Sequence, residues 1–115
     1  MKYMLLIYGN EAGMANVTKE SQGQMFAAYG AYTQAMKKAG AFVSGDPLQP
    51  STTATTVRVA DGKTKVLNGP YAETKEQLGG YYLIEVADLD AALSWAAKCP
   101  GASYGTMEVR PVMAM

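Results

Sequence analysis

No histidine occurs in the 115 residues, so any proton transfer falls to carboxylates, tyrosines and lysines. General acid–base work needs two positioned proton carriers and neither a metal nor an imidazole. Asp46, between Gly45 and Pro47, and Glu73, in a polar run with Lys75 and Glu76, are the carboxylates best placed for it. Tyr8 and Tyr82 are expected to wall a pocket, with Tyr8 a further candidate proton carrier and Lys75 the matching cation. Each of these residues also has a plainer role. An Asp in a turn satisfies local backbone groups, mixed exposed charges are ordinarily solvated, and tyrosines near core positions ordinarily pack. Cys99 is the one cysteine, which excludes an internal disulfide, and no Cys or His cluster has zinc-ligand spacing. It stands at a helix C-terminus, where the dipole disfavours a thiolate nucleophile. The eight methionines suit adaptable core filling, and neither a metal nor any other cofactor is expected.

These groups must be held by regular elements, and the hydrophobic pattern supplies them. Met1 to Tyr8 is apolar on both alternating faces after Lys2, as in a central strand covered on both sides. Thr18 is a good N-cap with Glu20 in the first turn, and Met25, Tyr29, Tyr32 and Met36 recur at helical spacing. Lys37, Lys38 and then Gly40 close that helix. Ala41 to Ser44 reads as a short strand that ends where Gly45, Asp46 and Pro47 break regularity. Asp61-Gly62 predicts a two-residue hairpin between Thr56–Ala60 and Lys63–Leu67. Across it Arg58 faces Lys65, a like-charge pair that an acidic segment or an anion would relieve, while Val57, Val59, Thr64 and Val66 form the face expected to be buried.

A turn at Asn68-Gly69-Pro70 and a polar stretch precede a second two-faced strand, Tyr81 to Val86. Asp88 caps a helix whose inward stripe is Leu89, Ala92, Leu93 and Ala96, with Trp95 at its edge and Cys99-Pro100-Gly101 as its stop. The last strand, Tyr104 to Val112, alternates Met107 and Val109 against Thr106, Glu108 and Arg110. Two strand–helix–strand units in series predict one domain over residues 1–115 of α+β, ferredoxin-like build: an antiparallel sheet, two helices on one face and an inserted β-hairpin. Two helices cover one face only, so the apolar second face calls for another copy of the chain, a homodimer. Ten Lys and Arg balance ten Asp and Glu, and 17% of residues are charged. No basic excess draws the chain to nucleic acid or anionic lipid, so neither is expected as a partner. The first apolar run is too short for a signal peptide core or a membrane span, and a cytoplasmic location is expected.

The run Asn68-Gly69-Pro70-Tyr71-Ala72-Glu73-Thr74-Lys75-Glu76, followed by Gln77-Leu78-Gly79-Gly80-Tyr81-Tyr82-Leu83-Ile84, resembles the signature of YCII-related proteins of the DGPF type. The resemblance extends to Met1-Lys2-Tyr3-Met4-Leu5-Leu6-Ile7-Tyr8, to Asp88-Leu89-Asp90-Ala91-Ala92 with Trp95-Ala96-Ala97, and to Gly105-Thr106-Met107-Glu108-Val109-Arg110-Pro111. It implies a dimeric α/β-barrel-type, ferredoxin-like fold, no known reaction, and a regulatory role with a partner linked to sigma factors. The His/Asp enzyme site suggested for the broader group is not carried by this chain, which lacks histidine. Asn68 stands where the motif usually has Asp and Tyr71 where it has Phe, so that Asp carboxylate has no counterpart. On the combined reading, Tyr8, Asp46, Asn68, Gly69, Tyr71, Glu73, Lys75 and Tyr82 are the candidate ligand-binding residues, and Asp46, Glu73 and Tyr8 the candidate catalytic ones. The function expected is a dimeric small-molecule-binding or regulatory module. The alternative is a metal-free enzyme that pairs a carboxylate with a tyrosine.

Overall fold

The computed structural model describes residues 1–14 and 17–115. In chain order the elements are β1 (Lys2–Gly9), α1 (Glu11–Met14), α2 (Lys19–Lys38), β2 (Phe42–Pro47), β3 (Thr55–Ala60), β4 (Lys63–Asn68), β5 (Gln77–Glu85), α3 (Leu89–Lys98) and β6 (Thr106–Pro111). Short 3-10 turns occupy Ser51–Thr53 and Pro100–Ser103. Four strands form an antiparallel sheet ordered β2-β5-β1-β6, while β3 and β4 pair only with each other. Thus β5 lies between β1 and β2, and β1 between β5 and β6, the interleaving that defines a ferredoxin-like α+β fold.

The core lies between the sheet and the two long helices. Tyr3 and Leu5 of β1 and Tyr82 and Ile84 of β5 meet Tyr32 and Met36 of α2 and Ala92 and Ala96 of α3. Thr18 caps α2 by accepting a hydrogen bond from the Ser21 backbone N–H, and Asp88 caps α3 through Ala91. Gly40 takes the left-handed φ of +73° that turns the chain out of α2. Helix α3 approaches closely because its contact face is made of alanines. Trp95 fills the flank by meeting Tyr32 edge-on at 6.1 Å. That choice corrects the expected stripe. Leu89 and Leu93 are exposed, since Leu93 is turned about 100° from Ala92 around the helix and Leu89 begins the first turn.

Two further expectations are corrected. Strand β2 runs on through Asp46 and Pro47, because Gly45, Asp46 and Pro47 pair with Tyr82, Tyr81 and Gly80; Pro at the end of an edge strand costs no ladder bond there. The hairpin forms in the expected register, with Asp61 at φ 52° and Gly62 at φ 73°. Its apolar face, however, is not buried: Val57, Val59 and Val66 are 60%, 65% and 59% exposed. The helix side of the sheet is already filled by α2 and α3, so the chain has no layer left for the arm to pack on. The first half of α2 is likewise exposed, including Phe26.

Candidate functional site

The face of the sheet turned away from the helices carries the polar groups best able to do chemistry. A β-bulge sets this up. Phe42 pairs with Ile84 but Ser44 with Leu83, so Val43 is an extra residue, and everything after it in β2 changes face. Asp46 therefore joins the open face beside Tyr81, whose hydroxyl donates to Asp46 Oδ2 at 2.8 Å. That bond, and the nearby carboxylate charge, push the Tyr81 phenol above its ordinary pKa. Gly45, now on the helix side, lies against the Tyr82 ring; a Cβ there would come within 2.5 Å of it.

Across the sheet, Leu6 pairs with Tyr81 on one side and Glu108 on the other. Asp46, Tyr81, Leu6 and Glu108 thus form one row over all four strands, its ends about 14 Å apart at ordinary strand spacing. Glu108 accepts from Arg110 Nη2 at 3.1 Å and from the Tyr8 hydroxyl at 3.5 Å. The neighbouring row, Ser44, Leu83, Met4 and Arg110, is apolar in the middle. The open face is therefore an apolar centre framed by two hydrogen-bonded acid–tyrosine sets. Its β6 side is fixed by Gly105, which packs so close to the Tyr8 carbonyl that no Cβ fits.

The segment between β4 and β5 sits elsewhere, at the end of the sheet. Glu11 of α1 accepts from the Ser51 backbone N–H at 2.7 Å and from the Ser51 hydroxyl at 2.5 Å. Its own backbone N–H donates to Gln77 Oε1 at 3.0 Å, and Gln77 Nε2 donates to the Thr74 carbonyl at 2.5 Å. This network ties α1, the Ser51 turn and the polar loop together around a depression of about 190 Å³, lined by Ser51, Thr52, Pro70, Ala72, Glu73, Thr74 and Gln77. A second depression, of about 180 Å³, lies on the hairpin and is lined by Thr56, Arg58, Lys65, Leu67 and Tyr71. Tyr71 is 80% exposed.

Tyr82 belongs to neither. It faces the helices, buried, and shares a 2.8 Å hydrogen bond with the Thr33 hydroxyl; burial raises its pKa against that bond. Beside it Tyr32 donates to the Trp95 carbonyl at 2.7 Å. Burial pushes the phenols of Tyr29 and Tyr32 well above the ordinary tyrosine value, and burial also raises the Cys99 thiol. A buried thiol of that kind is a packing group, not a nucleophile.

The sequence-predicted residues therefore do not converge. Tyr8 and Asp46 share the open face on different strands, Glu73 lines the end depression and Tyr71 the hairpin one. Asn68 ends β4, and Gly69, at φ 113°, donates to the Ala54 carbonyl at 2.7 Å. Lys75 is exposed with no ion pair among the described residues. Tyr8 and Tyr82 do not share a wall: β1 and β5 alternate, and the two rings lie on opposite faces of the sheet. Sequence reasoning missed Tyr81, Glu108 and Arg110 as partners. Only the strand pairing, bulge included, places them beside Asp46 and Tyr8. No cluster of three or more Asp, Glu, Cys or His side chains suited to a metal occurs among the described residues.

A ferredoxin-like sheet with one face covered by helices and one left open defines the chain as a small α+β domain. It belongs to the family of YCII-related domains, which match it over residues 1–115. An uncharacterized protein of Rhizobium meliloti (strain 1021), R00369, is 40% identical over 114 residues, spanning 97% of this chain and 92% of that protein. Among the described residues, no helix is long and apolar enough to cross a membrane.

Proposed function

We propose that the chain is a homodimeric small-molecule-binding module in which a second copy closes over the open face of the sheet. The observation that carries this reading is surface area. A compact monomer of this mass exposes about 6,100 Å², whereas the protomer exposes 8206 Å². The excess of about 2,100 Å² is more than the roughly 800 Å² that each partner gives to an ordinary stable interface. Its sources are the open sheet face, the valine face of the hairpin and the first half of α2. A two-stranded hairpin alone is marginally stable in water, so the arm too needs a neighbour. Two sheets facing each other would enclose the Asp46–Tyr81 and Tyr8–Glu108–Arg110 sets, and a small ligand would meet hydrogen-bonding groups at the rim of an apolar layer. A regulatory role with a sigma-factor-linked partner rests on the DGPF-type resemblance alone and is part of the same proposal.

The test has two arms. Light scattering at micromolar concentration should return twice the protomer mass, and a thermal-shift screen of metabolites should find a stabilising compound. A ligand at a hundred times its Kd adds about 2.7 kcal/mol. A monomeric mass counts against the dimer; a screen without hits counts against the binding role.

The Asp46–Tyr81 bond favours a second reading, a metal-free acid–base enzyme in which the carboxylate takes a proton and a phenol gives one. It uses Tyr81, whereas Tyr8 is the tyrosine expected from the sequence as the candidate proton carrier. Turnover of a screen hit that Asp46→Asn abolishes without loss of binding would move the chain to this class.

A further inference from the structure

The hairpin carries a like-charge pair that no ion pair among the described residues relieves. Arg58 on β3 stands directly opposite Lys65 on β4, and like charges so placed destabilise a two-stranded ladder. Neither is paired with a carboxylate: the ion pairs among the described residues are those of the N-terminus with Glu85 and of Arg110 with Glu108. The one acid of the arm, Asp61, is in its turn. Both cations instead border the 180 Å³ depression, with Leu67, Thr56 and the exposed Tyr71 ring completing it. Thr56 spends its proton on the Gly69 carbonyl at 2.8 Å, which both fixes the loop that presents Tyr71 and leaves Arg58 and Lys65 as the charged donors bordering the hollow. Valines occupy the other face of the ladder, so covering them would leave this basic face accessible.

We propose that this hollow is a binding site for a small aromatic anion, a phosphate ester of a single ring. The anion lies between Arg58 and Lys65, where the charge repulsion becomes attraction and Arg supplies a planar fork of donors. The ring lies on Leu67 and Tyr71, because an aromatic face offers both apolar area and a defined stacking geometry. The volume admits one ring and one anionic group and is well below that of a drug-sized pocket, which disfavours larger ligands. A stretch of acidic protein would need a longer trough than five residues provide. The proposal rests on the binding-module reading and adds to it a second site, distinct from the open sheet face.

The test titrates phenyl phosphate, inorganic phosphate and phenol into the full chain and follows backbone amide shifts by NMR. Phenyl phosphate should move the amides of Thr56, Arg58, Lys65, Leu67 and Tyr71, bind more tightly than either fragment, and weaken as salt is raised. Arg58→Gln with Lys65→Gln should weaken it about tenfold or more, as expected for losing charge-assisted hydrogen bonds. Tyr71→Ala should reduce phenyl phosphate to the affinity of inorganic phosphate. The charged side chains are exposed and their mutual repulsion is removed, so a melting temperature equal to or slightly above wild type is expected and checks folding. Shifts confined to the open sheet face, unchanged affinity in the double variant, or conversion of a dimer to a monomer by that variant would each overturn the site. If phenyl phosphate leaves these amides unmoved while another compound stabilises the protein, the aromatic-anion site fails and the binding-module reading stands.

Discussion

Asp46 illustrates how one inserted residue decides the chemistry of a strand. Strict alternation from Phe42 would aim the carboxylate at the helices, where an unpaired charge would cost several kcal/mol; the bulge at Val43 puts it on the open face beside the Tyr81 phenol. Since Asp46 is the main cause of the raised Tyr81 pKa, Asp46→Asn should bring that phenol back towards its ordinary value, seen as an earlier phenolate absorbance step. A step that does not move would place the cause elsewhere. The buried phenols give a second prediction. Tyr29 and Tyr32 are held above the unfolded tyrosine pKa chiefly by desolvation, so the unfolded chain loses its protons first as pH rises. The stability tied to their neutral forms is complete below about pH 10, the unfolded value, and is lost progressively above it. Denaturant midpoints should therefore fall from about pH 10 upwards, and Tyr29→Phe should flatten that fall. A Tyr29→Phe profile as steep as wild type would show that this phenol is not the source.

At the scale of elements, the helices divide into parts that pack and parts that do not. Only Tyr32 and Met36 of α2 are fully buried, so its first half depends on the Thr18 cap and local helix propensity. Thr18→Ala should cost about 1 kcal/mol and should appear as lost hydrogen-exchange protection over the first half of α2, with the protection of β1 and β5 intact. Uniform loss across the sheet would mean that the half-helix is coupled to the core. Local signals made these elements legible from sequence: Thr18 and Asp88 as caps, Gly40 as a stop, Asp61-Gly62 as a turn with its register. Residues whose placement depends on long-range pairing were not legible. The bulge at Val43, the Asp46–Tyr81 and Tyr8–Glu108 contacts, and the tie from Glu11 to Ser51 join positions far apart in the chain. Nor does alternation in a hairpin say whether a second layer exists to cover its apolar side, which is why Val57, Val59 and Val66 were expected inside and lie outside.

The whole molecule is broader and thinner than its length requires. Its extents are 47 × 43 × 19 Å and its radius of gyration is 16.1 Å, against about 13 Å for a compact domain of this length. A sheet with one helix layer accounts for the thin dimension, and the hairpin arm and the projecting half of α2 lengthen the others. A second sheet laid on the open face would turn two layers into four and cover Met4, Leu6 and Leu83 in the middle of the seam. Leu6 is the most informative position, because it pairs with Tyr81 and Glu108 at the centre of that face. In a solvated protomer, Leu6→Lys is mild: the long stem can lie on the sheet while the ammonium reaches water or Glu108. Facing sheets would instead desolvate an ammonium from each copy, at several kcal/mol per ion, so the dimer should weaken by about a thousandfold or more. Wild-type melting temperature should rise with protein concentration, as it does when association stabilises the folded form, and the Leu6→Lys variant should lose that dependence and scatter as a monomer. A wild-type melting temperature independent of concentration, or a Leu6→Lys protein that keeps the dimer mass, would place the seam on another surface, with the valine face of the hairpin the next to be tested.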